Sequence, residues 1–377
     1  MTRFPRLYRP SLALGAIGLM ALAACGSSSS SSTASGGSAS SASAGKIALL
    51  LPETKTARYE AADKPDFLAK LTALGYDTSQ VIYANANQDA QAQISQADAA
   101  ITNGAKVLVL DPVDSAAAGA IADKAKAAGI PVIAYDRLIK NSSGVGYYIS
   151  FDNVKVGQLQ AQSLVALAQQ KGVSHATIVM INGSPTDNNA GLFKQGAHSV
   201  FDPLVSAGLL TIAKEYDTPD WSPNQAQVEM TQALTALSNK VSAVYSANDG
   251  MASGIIAALK SAQVTPLPPV TGQDAELAGI QRIVSGEQYM TIYKAIKPEA
   301  EAAAVTAFAL ASGKTPDATL YVAKTNNGVT DVPSLLLVPV PVTVATIKTT
   351  VVADGFYTVA QICTPAYAAA CTAAGLS

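Results

Sequence analysis

Polar side chains stand at or shortly after the ends of several apolar segments of this sequence, where predicted strands end. They include carboxylates, carboxamides and cations: Arg58, Asp136, Arg137, Asp187, Asn189, Asn248, Asp249, Gln273, Asp274 and Lys294. A hydroxyl group both donates and accepts hydrogen bonds, so carboxylates can accept from it while Arg, Lys and amide groups donate to it. Bonds with a charged partner are roughly twice as strong as neutral ones. The set therefore predicts a site for a polyhydroxylated ligand such as a sugar.

Aromatic side chains could stack on the apolar C–H face of such a ligand. Trp221 is the single tryptophan, and Tyr59 adjoins Arg58. Each polar residue also has an alternative interpretation. Asp249 is interpreted first as the N-cap of the following helix, Asp136 and Arg137 could form a surface ion pair, Trp221 could lie in the core, and Lys294 could face solvent. Agreement among five strand ends favours the site.

Motifs for catalysis and metal binding are weak. Gly313-Lys314-Thr315 resembles the end of a phosphate-binding loop, but Phe308 stands where its first glycine belongs. Two histidines, His175 and His198, and three cysteines leave little room for a zinc or copper site. We expect no enzyme activity, no cofactor and no metal. The net charge of −2, without a long Lys/Arg block, also argues against nucleic-acid binding.

The elements that position these residues alternate along the chain. Predicted strands span 47–51, 81–84, 107–110, 132–135, 176–181, 210–216, 243–246, 270–272 and 290–293. Predicted helices span 59–74, 90–103, 116–128, 154–170, 190–207, 225–237, 252–262, 278–285 and 298–311. Strands that are apolar throughout are typical of parallel sheets covered on both faces. The pattern predicts an α/β fold with two doubly wound, Rossmann-like lobes, with ligands beyond the carboxyl ends of the strands.

The N-terminus is interpreted as an export signal. Residues 1–24 carry three arginines and then an apolar run too short to span a membrane as a stable helix. Leu22-Ala23-Ala24-Cys25 resembles a lipobox, so Cys25 is predicted to be lipidated, and residues 25–45 read as a Ser/Gly-rich tether. We expect an exported protein, anchored by lipid to the outer face of the cytoplasmic membrane.

The two remaining cysteines lie close together near the C-terminus. Cys363 and Cys371 are separated by seven residues. In an oxidising compartment a local disulfide is favoured, with two free thiols as the alternative. Such a bond would secure the C-terminal tail.

Ordered segments across the body resemble the pentose- and hexose-binding periplasmic proteins that feed ABC importers. The matching segments are 132–137 (VIAYDR), 148–157 (YISFDNVKVG), 183–189 (GSPTDNN), 246–249 (SAND), 272–275 (GQDA) with 277–280 (LAGI), 290–294 (MTIYK) and 326–334 (NNGVTDVPS). The resemblance covers roughly residues 46–357. It implies a type I periplasmic-binding fold whose two lobes close around a sugar.

The resemblance also implies roles for individual residues and for the lobes. Trp221 would stack on the sugar ring, and the ligand set would be Arg58, Tyr59, Asp136, Arg137, Asp187, Asn189, Trp221, Asn248, Asp274 and Lys294. The lobes would comprise 46–149 plus 295–332 and 150–294 plus 333–377, with three crossings near 149–151, 293–295 and 332–337. Expected partners are a permease and its ATPase, and the receptor would be a monomer.

D-xylose is the favoured ligand. The opening 52–55 (PETK) is less acidic than in strict xylose binders and closer to multi-sugar relatives, so glucose, arabinose or an inositol-type polyol remains an alternative. A second alternative is a sugar sensor that engages a chemoreceptor or a kinase.

Overall fold

Strands and helices alternate along the chain in the computed structural model, which describes residues 44–376. The strands are β1 (Lys46–Leu51), β2 (Val81–Asn85), β3 (Ala105–Leu110), β4 (Val132–Tyr135), β5 (Val145–Phe151), β6 (Ala176–Asn182), β7 (Leu210–Asp217), β8 (Ala243–Ser246), β9 (Met290–Tyr293), β10 (Ala323–Asn326), β11 (Asp331–Leu337) and β12 (Val340–Thr343). The α-helices are α1 (Lys64–Ala73), α2 (Ala90–Thr102), α3 (Gly119–Ala127), α4 (Asn153–Gln170), α5 (Asn188–Ser206), α6 (Pro223–Ala236), α7 (Asp249–Ser261), α8 (Leu277–Val284), α9 (Ile296–Ala311), α10 (Val359–Ile362) and α11 (Ala368–Ala373). The predicted signal segment and Cys25 lie outside the described residues. Within 44–376, no helix is long and apolar enough to cross a membrane.

The larger sheet has seven strands in the order β10-β11-β5-β4-β3-β1-β2. All its pairs are parallel except β10 with β11, an antiparallel pair at one edge. Successive residues of β1 point to opposite faces: Ile47, Leu49 and Leu51 pack with α1 and α9, while Ala48 and Leu50 pack with α2 and α3. Helices therefore cover both faces, as uniformly apolar parallel strands require.

The second sheet has the order β7-β6-β8, and all its pairs are parallel. Side chains of β6 and of helices α4 to α7 form one continuous core that includes Phe193, Phe201 and Tyr245. The predicted strand 270–272 is reduced to one bridge, Val244 with Val270. It follows Pro268 and Pro269, which have no N–H to donate to a ladder.

Strand β5 is an addition to the predicted elements. It lies between β4 and β11 in the larger sheet, and Tyr148–Phe151 pair with Ser334–Leu337. Gly146 and Tyr147 are only partly buried, so this segment lacks the continuous apolar run by which the other parallel strands were predicted.

The C-terminal segment is built into the molecule beside β9. Strand β12 pairs with β9. Cys363, directly after α10, forms a disulfide with Cys371 in α11. Cys371 and Leu376 are buried in a cluster with Ile280 and Tyr293. The Tyr293 hydroxyl also donates to Asp354. The tail, which lies outside the segments used for the resemblance, therefore braces the strand that leads into Lys294.

Candidate ligand-binding site

One buried cavity gathers all ten predicted ligand residues. Its lining is Thr56, Arg58, Tyr59, Asp136, Arg137, Asp187, Asn189, Phe193, Trp221, Asn248, Gln273, Asp274 and Lys294. Each of these residues is at most 7% exposed. Residues that are far apart in sequence thus share one small, water-shielded space.

Strand ends explain most of this convergence. Asp136 and Arg137 follow β4, Asn248 follows β8, and Lys294 follows β9. Asp187 and Asn248 also cap helices: Asp187 Oδ1 accepts from the N–H of Asn189 at 2.8 Å, and Asn248 Oδ1 accepts from Met251 at 2.8 Å. Capping uses one oxygen of each side chain, and the other oxygen of Asp187 accepts from the indole N–H of Trp221 and lies beside Arg137.

The first cation, Arg58, is held by three carboxylates. Its Nε and Nη2 donate to Asp63 at 2.9 and 2.7 Å, and Nη2 also donates to Glu299 at 2.7 Å. Nη1 donates to Asp136 at 3.3 Å. Burial alone would lower the pKa of Arg58, but these negative charges raise it well above its ordinary value.

The second cation, Arg137, joins the two sheets across the cavity. Its Nε lies 3.0 Å from Asp187 Oδ2 and 3.5 Å from Asp111 Oδ1. Its Nη2 donates to the Tyr59 hydroxyl at 3.1 Å, and Nη1 donates to the carbonyl of Pro112 at 3.2 Å. Direct bonds also connect the two sheet units nearby, including Asn189 Nδ2 to the carbonyl of Asp136 at 3.0 Å. Such bonds join the two sheet units directly beside the cavity.

The third cation is Lys294, in the link between β9 and α9. Its Nζ lies 3.1 Å from Asp274 Oδ1 and 3.7 Å from Asp136 Oδ1. It also lies 5.4 Å from the ring centre of Phe151 and 5.8 Å from that of Phe193. Burial would lower its pKa, but the two carboxylates raise it.

The carboxylates differ in their electrostatic surroundings. Burial alone would raise the pKa of Asp136, but Arg58 and Lys294 lower it to about 2. For Asp187 burial prevails over the charge of Arg137 and raises the pKa. Asp136 is therefore a fixed negative acceptor at neutral pH.

Trp221 forms one wall of the cavity. Its indole N–H donates to Asp187 Oδ2 at 3.1 Å, and its ring meets Phe193 edge to face at 6.2 Å between centroids. A Cβ at Gly183 would lie 2.1 Å from the Trp221 ring, so only glycine leaves room for the indole at this position. The interpretation of Trp221 as an ordinary core residue is incomplete, because its ring both packs and lines the cavity.

Several lining residues have strained backbones. Asp136, Trp221 and Asp274 have φ values of 52°, 54° and 89°. Non-glycine residues rarely adopt positive φ, and such strain is concentrated at functional sites, where surrounding contacts maintain it. The backbone thus aims these three side chains at the cavity at a cost in conformational energy.

Three alternative interpretations from the sequence are wrong. Asp136, Arg137 and Lys294 are at most 3% exposed, so they form neither a surface ion pair nor a solvated face. Asn248, not Asp249, is the N-cap of α7. Asp249 instead lies buried behind the cavity, where its carboxylate accepts from Gln288 at 2.6 Å and from Thr291 at 2.9 Å.

Six residues at the site were missing from the predicted ligand set. Thr56, Phe193 and Gln273 line the cavity, and Asp63, Asp111 and Glu299 stand behind its arginines. Asp111 follows β3, so its position at a strand end was an available signal. Asp63 and Glu299 belong to helical segments, and nothing in their local sequence distinguishes them from residues on a solvated helix face.

The closed cavity adjoins a larger cleft. This cleft shares Arg58 and Asp274 with the cavity. Tyr293 and the tail residues Phe356 and Tyr357 form part of its wall. The tail therefore lies close to the site as well as to β9.

Comparison with known proteins places this arrangement among transport receptors. Residues 47–315 match the family model described as "Periplasmic binding protein domain". The chain is 39% identical over 312 residues to the D-xylose-binding periplasmic protein of Escherichia coli K12, covering 83% of this chain and 91% of that one. It is 38% identical over 332 residues to the multiple sugar-binding periplasmic receptor ChvE of Rhizobium radiobacter, covering 84% and 92%.

A solved structure extends the similarity to the fold. The solute-binding protein of an ABC transporter from Clostridium phytofermentans, with bound β-D-glucose, superposes with a TM-score of 0.78 at 31% identity. The match covers 84% of this chain and 99% of that one.

Proposed function

Because this chain belongs to the periplasmic binding protein family, we propose that it is the extracytoplasmic receptor of an ABC sugar importer. It binds one monosaccharide in the buried cavity and performs no chemistry on it. The observation that carries the proposal is the composition of the cavity wall, in which three cations and three carboxylates surround a small space with aromatic rings beside it. Such a wall suits a neutral ring with hydroxyl groups in several directions.

Each ligand residue has a proposed role. Asp136, Asp187 and Asp274 accept from sugar hydroxyls, and Arg58, Arg137, Asn189, Asn248 and Lys294 donate to them. Tyr59 contributes its hydroxyl, and the Trp221 ring packs against the C–H face of the sugar. Buried charge-assisted hydrogen bonds of this kind contribute about 1.5–3 kcal/mol each, so a few of them suffice for tight binding.

D-xylose is the first ligand to test. The support is the 39% identity to a protein named for that sugar. Similarity to a multiple sugar-binding receptor and to a glucose-bound structure makes glucose the main competitor.

The two sheets correspond to two proposed lobes. Because β5 and β11 pair within the larger sheet, the predicted boundaries at 149/150 and 332/333 shift to the ends of these strands. The first lobe then comprises 46–151 plus 295–337, and the second comprises 152–294 plus 338–377. They open to admit the sugar and close upon it, and the closed form is the one that the permease and ATPase receive. Bonds that join the two sheet units around the cavity support this, among them the N–H of Ser115 to the carbonyl of Thr186 at 3.0 Å.

Lipidation of Cys25 would hold the receptor, as a monomer, on the outer face of the cytoplasmic membrane. The mature protein should then partition into the detergent phase of a Triton X-114 extraction. The variant Cys25→Ser should move to the aqueous phase. Equal partitioning of the two proteins would refute the anchor.

Calorimetric titration of residues 44–377, first unfolded and refolded to remove any sugar retained from the producing cell, tests the proposed function, because the described residues form one compact unit. The titrants are D-xylose, D-glucose, L-arabinose and D-ribose. We expect 1:1 binding of D-xylose and recovery of unchanged sugar. Preference for another of the four sugars would replace the named ligand. Absence of binding to all four would refute the sugar receptor, and conversion of the sugar would show an enzyme.

A further inference from the structure

The cleft beside the buried cavity is large enough for a ligand of its own. It adjoins the cavity at Arg58 and Asp274 and has a volume of about 550 Å³. Ligand sites in proteins measure roughly 300–1,000 Å³. Apart from Arg58 and Asp274, the residues that line the cleft take no part in the proposed binding of a monosaccharide.

Aromatic side chains form one wall of the cleft. Tyr293, Phe356 and Tyr357 follow one another along it. The ring centres of Tyr293 and Phe356 are 5.2 Å apart, and those of Phe356 and Tyr357 are 4.6 Å apart. Phe356 and Tyr357 are only partly buried, so part of each ring remains accessible. Such rings offer an apolar surface on which the C–H face of a sugar can pack.

Polar groups surround this aromatic wall. Besides Arg58 and Asp274, the cleft is lined by one ammonium group and four carboxylates: Lys297, Asp66, Glu276, Glu301 and Asp354. Oε1 of Glu276 is buried and has no hydrogen-bond partner among the residues that the structure describes. Buried polar atoms without a partner are uncommon in native proteins. The combination of acceptors, a donor and aromatic rings repeats the composition of the cavity wall, so it suits a second ring with hydroxyl groups.

The partition between cavity and cleft is not closed by a bond. Arg58 belongs to the first proposed lobe, and its ion-pair partners belong to the same lobe: Asp63, Asp136 and Glu299. Asp274 belongs to the second lobe and lies 3.1 Å from Lys294 of that lobe. Within residues 44–376, no ion pair joins Arg58 to Asp274. A small separation of the lobes would therefore widen the passage between them without breaking these pairs.

Both proposed lobes contribute to the cleft. Asp66 on α1 and Glu301 on α9 belong to the first lobe, whereas Glu276, Phe356 and Tyr357 belong to the second. A ring in the cleft would contact both lobes, as the monosaccharide in the cavity does. Contacts made only when the lobes are near each other favour the closed arrangement, so the two rings of one ligand would support the same conformation.

We propose that the cleft is a second subsite, through which the receptor also captures disaccharides of pyranose sugars. One ring occupies the buried cavity, and the glycosidic bond passes between Arg58 and Asp274. The second ring packs against Phe356 and Tyr357, and its hydroxyl groups bond to the surrounding carboxylates. The inference rests on the proposed function and extends its ligand class.

Calorimetric titration of refolded residues 44–377 with xylobiose and cellobiose tests the subsite. Each disaccharide consists of two identical sugars, so either end can enter a cavity for D-xylose or D-glucose. We expect at least one of them to bind 1:1 within about thirtyfold of its own monosaccharide. The mass of the ligand released on denaturation should be that of the intact disaccharide. A larger loss of affinity for both disaccharides, or release of monosaccharide alone, would overturn the inference.

Tyr357→Ala should separate the two subsites, because Tyr357 lines the cleft but not the cavity. Affinity for the disaccharide should fall at least tenfold, while affinity for the monosaccharide stays within twofold of the parent. Glu301→Gln is a second variant, on a side chain that is 35% exposed, and it should weaken only the disaccharide, by about threefold. Tyr216→Ala, in β7, is the matched control that lines neither space and should change neither affinity. If both cleft variants weaken the two ligands equally, or weaken neither, the second ring does not lie in the cleft.

Failure of the inference is distinguishable from failure of the proposed function. If none of the four monosaccharides binds, the sugar receptor itself is refuted. If a monosaccharide binds and both disaccharides are rejected, the receptor stands and only the second subsite is lost.

Discussion

Replacing Asp136 by asparagine should weaken sugar binding at least tenfold while the protein remains folded. The two side chains have nearly the same shape, and asparagine tolerates the positive φ of 52° at this position. The substitution converts a charge-assisted bond to the ligand into a neutral one. That change costs about 1–1.5 kcal/mol for each hydroxyl bound, or about a factor of ten.

The same substitution should also lower the free energy of unfolding at neutral pH. The pKa of Asp136 is lowered from 3.8 to about 2 by Arg58 and Lys294. A carboxyl group with a depressed pKa stabilises the folded state above its unfolded pKa, and this stabilisation is lost as the pH falls through the folded pKa. The shift corresponds to about 2 kcal/mol at pH 7, and the difference between variant and parent should disappear near pH 2.

Calorimetric titration measures the affinity, and thermal unfolding without sugar measures the stability. The matched control is Asp98→Asn, which removes an exposed carboxylate that lies 2.6 Å from Lys124 on the surface. It should leave the sugar affinity within twofold of the parent. If Asp136→Asn also binds within twofold of the parent, Asp136 does not contact the ligand and the proposed binding geometry is wrong.

Four further changes probe other parts of the structure. Gly183→Ala should displace the indole and weaken sugar binding at least tenfold, since a Cβ there would lie 2.1 Å from the Trp221 ring. The control is Gly191→Ala in α5, where no neighbouring atom lies within 4 Å of the added Cβ, and this variant should bind sugar normally. Trp221 is the only tryptophan, so sugar binding should change the intrinsic fluorescence. Trp221→Phe should abolish the tryptophan signal and weaken binding about tenfold through loss of the bond to Asp187. Emission that saturating sugar leaves unaltered would argue against Trp221 as a wall of the binding site. Burial raises the pKa of Asp249 to about 7, so between about pH 4 and pH 7 the folded state holds a proton that the unfolded state has released. Stability should therefore fall by up to about 1.4 kcal/mol per pH unit as the pH rises through this range, and should level off above about pH 7. Asp249→Asn should flatten the pH dependence of the melting temperature in this range, and an unchanged or steeper dependence would contradict this assignment. Reduction of the Cys363–Cys371 bond should raise the intact mass by two hydrogens, and an unchanged mass would exclude the bond. Replacing both cysteines by serine should lower the free energy of unfolding by about 2–3 kcal/mol.

The α/β fold and the family were both predictable from the sequence and are confirmed by the family match over residues 47–315 and by the superposed structure. Uniformly apolar segments identified most parallel strands, because a strand buried on both faces leaves little place for polar residues. The same rule missed β5, whose middle is only partly buried. It also predicted a full strand at 270–272, where only one bridge forms after the two prolines.

The position of polar residues after strands predicted which side chains lie close together, since the carboxyl ends of parallel strands share one edge of a sheet. That reasoning has no access to the helices that close the site from behind. Glu299 lies 241 residues from Arg58 in the chain, yet the two side chains are 2.7 Å apart. Such a pairing depends on how α9 packs against the sheet, which the local pattern around either residue does not encode. The roles of the ten predicted ligand residues in binding a sugar remain a prediction.

The burial of the whole cavity wall bears on the rates of exchange. With every lining residue at most 7% exposed, a sugar inside has no path to solvent unless the two halves separate. We therefore expect opening of the protein to limit the rate of sugar dissociation. Sugars of different affinity should then dissociate at similar rates and differ mainly in their rates of capture. A sugar acquired in the producing cell should also persist through purification, so that unfolding and refolding is needed to prepare the empty receptor.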